Sequence, residues 1–116
     1  MIIRKNDLKV SEVDKLRCGK GTTEIKYLLD KDGLEDLGKM FSILTLKKGC
    51  GLGYHEHIGD FEAIYILQGQ ATYNDNKTTH TLYPGDFCIT RNGESHCIEN
   101  EHDEDVVFVA LVLNSK

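Results

Sequence analysis

Basic charge is scarce in this 116-residue chain: 14 Lys and Arg stand against 19 Asp and Glu, for a formal net charge of -5. A surface of that sign neither displaces the counterions of nucleic acid nor attracts an anionic membrane, so neither is expected as a partner. Long hydrophobic runs are missing too. The longest, residues 106–113, falls well short of the roughly 18 residues a membrane span needs. Residues 1–4 show no signal-peptide pattern, and a cytoplasmic protein is the expectation. Cys18, Cys50, Cys88 and Cys97 never fall at Cys-x-x-Cys spacing, which removes a zinc knuckle or a thioredoxin-like centre. With no mark of secretion they read as free thiols. The glycine loop at residues 17–21 is wrongly spaced for a phosphate loop, and no internal repeat is present.

What is present is a succession of short β-prone segments. Residues 22–29, 41–46, 63–67, 70–73, 77–82, 87–90, 96–100 and 106–113 read as strands, separated by turn clusters such as Asp30-Lys31-Asp32-Gly33, Asn74-Asp75-Asn76 and Asn92-Gly93. Residues 1–4 read as a further short strand, residues 6–13 as a turn or single helical turn, and residues 34–40 as a connection. About nine strands with turns every 8–12 residues call for an all-β sandwich or barrel. At this length one domain, residues 1–116, is expected.

Two stretches carry the chemistry. Residues 49–69 place His55 and His57 two apart, so that a strand of period two aims both imidazoles to one face. Glu62 follows at the head of the next apolar run, able to close on the same point. The spacing Gly49, His55, His57, Glu62, Gly69 resembles the first motif of the cupin family at every fixed position. Residues 85–100 resemble the second motif, with His96 and Asn100 in place and Arg91 where the family has proline. This resemblance implies a jelly-roll barrel of antiparallel strands, with residues 1–40 packing on it. It also implies a metal site of His55, His57, Glu62 and His96.

That ligand set suits manganese, iron, nickel or zinc. It leaves two open positions on an octahedral ion for a substrate or dioxygen. The bland alternative is a barrel that has lost its metal. Asp60 is a weaker alternative ligand, and His80 and His102 read as solvated. Strand parity places Ile64, Ile66 and Ile98 beside the metal, with Tyr54, Phe61 and Phe87 as further lining candidates and Arg17 and Lys20 within reach of an anionic ligand. The resemblance implies a metal-dependent enzyme of the dioxygenase, decarboxylase or isomerase type, acting on a small carboxylate, diketone or sugar derivative. The competing reading is a binding module that senses or stores a small ligand without turnover. No general base stands out in the sequence, and catalytic residues are not assigned. Residues 106–113 are apolar on both parities, which calls for a cover on the outer side. A two-fold homodimer is expected to supply it, with residues 1–3 as the alternative cover.

Overall fold

Segments that are apolar at every second position each bury one face, and two sheets of them close on one another. The computed structural model describes residues 1–116 and shows ten antiparallel strands in that arrangement. They are β1 Val10–Asp14, β2 Thr22–Leu29, β3 Gly38–Leu46, β4 Gly51–Glu56, β5 Asp60–Gln68, β6 Ala71–Asp75, β7 Thr78–Leu82, β8 Phe87–Thr90, β9 Ser95–Glu99 and β10 Val106–Asn114. One sheet has the order β1-β2-β3-β10-β5-β8 and the other β4-β9-β6-β7.

Between the sheets lies a core in which Leu44, Leu46, Ile64, Ile66, Ile98 and Phe108 are almost wholly buried. Each such side chain contributes about 1.5–3 kcal/mol by leaving water. Strand β10 sits mid-sheet, paired to β3 on one side and β5 on the other. Its inward residues Val106, Phe108, Ala110 and Val112 are buried, whereas Val107, Val109, Leu111 and Leu113 on the other parity are half-buried.

The N-terminal quarter departs from its sequence reading. Residues 1–4 form no strand, and a 3-10 turn, Lys5–Asp7, follows them. A strand, β1, occupies part of the segment read as a turn. It is a sheet edge whose two valines have opposite partners, Val10 beside Lys26 and Val13 beside Thr23. With one valine on each face it shows no apolar alternation. Strand β3 begins at Gly38, inside the expected connection, and β5 begins at Asp60. The hairpin after β6 turns at Asn76 and Lys77, with φ of 48° and 76°, one residue later than the asparagine cluster suggests. At the proline position of the second motif, Arg91 uses an N–H that proline lacks, donating to Glu94 Oε1 at 2.8 Å.

Candidate metal centre

His55 and His96 face each other directly across the β4–β9 pairing. Glu62 comes from β5 in the opposite sheet, and His57 lies one residue beyond the end of β4. The backbone of His57 is fixed there by its N–H to Glu94 O, 2.9 Å, and by Gly93 N–H to its own carbonyl, 2.7 Å. One ligand atom from each of the four side chains lies within 4.8 Å of the others, and three of the four residues are buried. The parity that aims His55 inward is not that of an ideal strand. Leu52 pairs with Ile98 and His55 with His96, so β4 carries one residue more than β9 over this interval. This bulge at Gly53–Tyr54 lets both Leu52 and His55 face the interior, although they are three apart.

Each imidazole is held from behind. His55 Nδ1 donates to Gly53 O at 2.7 Å, and His57 Nδ1 to Asp60 Oδ1 at 2.7 Å. An ionised carboxylate only accepts, so the His57 proton sits on Nδ1 and the Nε2 lone pair turns inward. His96 Nδ1 lies 2.7 Å from the Tyr73 hydroxyl and 2.9 Å from Thr90 Oγ1, which are 2.9 Å apart. Donation from Nδ1 to Tyr73 leaves its Nε2 free as well. Asp60 is thus a support to a ligand rather than a ligand, and it is itself held by Lys39 Nζ at 2.6 Å.

The donor set fits a cation. His57 Nε2 and His96 Nε2 are 3.0 Å apart, and Glu62 Oε1 is 3.2 Å and 3.1 Å from them. Two lone pairs and a carboxylate oxygen at such range repel unless positive charge lies among them. The titration behaviour has the same origin. Burial pushes the Glu62 carboxyl up, but in metal-free protein, where protons rather than a cation sit on the inward nitrogens, hydrogen bonds from His57 and His96 outweigh it and hold the group at about 2. The bond to Glu62 raises His57 against the effect of burial. His55 is lowered, first by burial and then, against its bond to Gly53, by the nearby His96 and Arg17 charges. Burial raises Asp60, yet its bonds with Lys39 and His57 prevail and lower it.

The cluster opens into a cavity of about 160 Å³. Arg17, Lys39 and Asp60 line it with His55, His57 and Glu62, and the apolar wall is Leu16, Met40, Leu44, Leu52 and Val112. Among the lining candidates read from sequence, Arg17 alone reaches the cavity. Ile64, Ile66 and Ile98 point inward but into the packed half of the barrel. Tyr54 and Phe87 are 44% and 59% exposed, Phe61 is half-buried on the outer parity of β5, and Lys20 pairs with Glu99 at 3.4 Å away from the cavity. His80 and His102 are exposed.

Lys39 was missed because β3 is also bulged. Met40 pairs with Val112 and Gly38 with Leu113, leaving Lys39 as the extra residue, turned towards Asp60. A Cβ on Gly38 would meet Val112 O at 2.5 Å, so the close backbone approach there requires glycine. A glycine at the head of a β-prone run was the available signal.

The cupin-domain family profile matches residues 42–112, well over half of the chain. The chain belongs to the cupin family. It is 34% identical over 113 residues to the oxalate-binding protein of Thermotoga maritima, covering 97% of this chain and 93% of that one. Among solved structures it is similar to a predicted oxalate decarboxylase from Thermotoga maritima, with a TM-score of 0.93, 34% identity and coverage of 99% and 100%. KdgF from Halomonas sp. shares the fold at a TM-score of 0.78 and 14% identity, over 100% of this cupin and 94% of KdgF. Fold, family and a His/Glu cluster able to hold a metal ion are therefore in hand for this chain.

Proposed function

We propose that this cupin binds a small dicarboxylate of the oxalate class at one divalent transition ion, manganese, iron, nickel or zinc, held by His55, His57, Glu62 and His96. When bound, the ion supplies Lewis acidity to two carboxylate oxygens. The observation that carries the reading is the charge and size of the cavity. Glu62 and Asp60 bring two negative charges and Arg17 and Lys39 two positive ones. A divalent ion then leaves a surplus of two positive charges, which a dicarboxylate matches. A volume of about 160 Å³ lies below the roughly 300–1,000 Å³ of pockets that enclose drug-sized ligands, and so suits a small one. The names of the Thermotoga maritima sequence and structure point to the same ligand class.

Binding without turnover is the better supported form of this function. Decarboxylation of oxalate breaks its C–C bond, releases CO₂ and leaves an electron pair on carbon that must take up a proton to give formate. Of the cavity carboxylates, Glu62 is committed to the cluster and Asp60 to His57 and Lys39, so neither is free to deliver that proton. Calorimetric titration of manganese-loaded protein with oxalate, malonate and succinate tests the reading. Oxalate should bind tightest, with binding lost in His57→Ala and His96→Ala and kept in His80→Ala and His102→Ala. No oxalate binding to the loaded wild type would reject the proposal, and formate and CO₂ from it would replace binding by catalysis.

Assembly belongs to the same proposal. Phe41, Ile43, Val109, Leu111, Ala63 and Tyr65 lie side by side across β3, β10 and β5 on the outer face. Residues 1–3 do not cover it, since Met1 and Ile2 are 110% and 76% exposed. A second copy of the chain, joined about a two-fold axis, is the cover we infer.

A further inference from the structure

The first motif carries Gly51 and Gly53 ahead of its histidines, and metal ligation alone gives no reason for them. The structure does. Lys20 and Gly51 exchange backbone hydrogen bonds of 2.9 Å in both directions, which lays the segment from Lys15 to Lys20 across β4. A Cβ on Gly19 would stand 2.1 Å from Gly51 O, and one on Gly53 2.0 Å from Arg17 O. Backbone therefore rests directly on backbone, at the bulge that turns His55 inward. Within the segment Lys15, Arg17 and Cys18 have φ of 51°, 54° and 59°, the left-handed region that residues with a Cβ avoid. Three such residues among four describe a strap held in a shape it would not choose unaided.

The strap delivers two side chains to the metal cavity: Leu16 joins its apolar wall, and Arg17 lies beside His55. Lys39 is already paired with Asp60, and Lys20 with Glu99. Arg17 forms no ion pair, which makes it the uncommitted cation at the cavity.

We propose that the strap is a preset arm whose Arg17 guanidinium selects for a carboxylate ligand at the metal cavity, and that Gly19 and Gly53 determine where that arm sits. The inference rests on the carboxylate-binding reading above. A planar guanidinium can meet a carboxylate with two parallel N–H donors, and a backbone already fixed spares the cost of ordering it on binding.

The test is calorimetry with manganese alone and then with oxalate on manganese-loaded protein. Wild type is measured first, so that absent oxalate binding there counts against the functional reading and not against the arm. Arg17→Met should lower oxalate affinity roughly 10- to 100-fold, the range for losing a charge-assisted hydrogen bond, while manganese binds no more weakly than in wild type, since a nearby positive charge has been removed. Arg17→Lys, which keeps the charge but not the fork, should recover only part of it. Gly19→Ala should reproduce the loss without contacting ligand, and Gly53→Ala, from the opposite side of the same contact, is the second variant should Gly19→Ala fold poorly, compared at equal manganese loading because Gly53 O also holds His55. In the Arg17→Met background the glycine changes should cost nothing further, because they act through Arg17. Oxalate affinity unchanged in Arg17→Met would overturn the assignment of the arm. Glycine variants that bind as wild type, or that lose affinity equally with and without Arg17, would overturn the seat.

Discussion

Protons and metal ions compete for the same inward lone pairs, and the direction of that competition is set by Glu62. Its hydrogen bond raises His57, so the imidazolium form persists to a higher pH than 6.5 in metal-free protein. Glu62, at about 2, stays ionised throughout. On the proposed ligand set metal must displace the His57 proton, and affinity is therefore expected to be full above the raised value and to fall as pH drops through it. Manganese titrations from pH 8.5 to 5.5 should show affinity declining by up to about tenfold per pH unit for each proton displaced. A flat profile would mean that His57 Nε2 is not a ligand. Asp60 works on the same residue from behind: removing a partner that fixes a ligand's tautomer commonly weakens metal binding by about 10- to 100-fold.

At the scale of strands, the convergence of His55, His57, Glu62 and His96 was legible and their surroundings were not. His55, His57, Glu62 and His96 sit at fixed spacings in segments whose strand character is strong. Parity then carried the reading astray in two ways. Ile64, Ile66 and Ile98 share an inward face with ligands, but that face runs from the open end of the barrel into its packed half. Lys39 and the Gly53–Tyr54 step lie at bulges, where the period of two breaks and the sequence gives only a glycine as notice. Asn100 shows a further limit. It has the parity of His96, yet its amide spans three elements, donating to Leu46 O at 2.8 Å and Glu104 O at 2.9 Å and accepting from His102 N–H at 2.9 Å. It joins the end of β9 to the end of β3 and to the turn before β10. Asn100→Ala leaves those partners unmet and should destabilise the fold by about 2–4 kcal/mol at roughly 1–3 kcal/mol per buried group. Denaturant unfolding would measure it, and a loss below about 0.5 kcal/mol would assign the turn's integrity elsewhere.

For the whole molecule, the all-β class followed from strand count and turn spacing, the jelly-roll barrel from the resemblance of residues 49–69 and 85–100 to the cupin motifs, and the apolar outer parity of β10 was plain in the sequence. The identity of its cover was not, because no pattern within one chain records a neighbour. Light scattering at micromolar concentration should give about 26 kDa, twice the 13.1 kDa chain. Leu111→Glu, placing charge between Phe41 and Ala63, should return a monomer. A wild-type monomer would leave the outer face bare and reject the dimer. The donors to the metal have their own bearing on the molecule's mechanics. His55 and His96 hang from one sheet and Glu62 from the other, so an ion held by them, as proposed, would act as a rivet through both walls at the barrel's open end. Filling the site would then stiffen the mouth as well as prepare it for ligand, and a chelator that drew the ion out would also free the two walls to part.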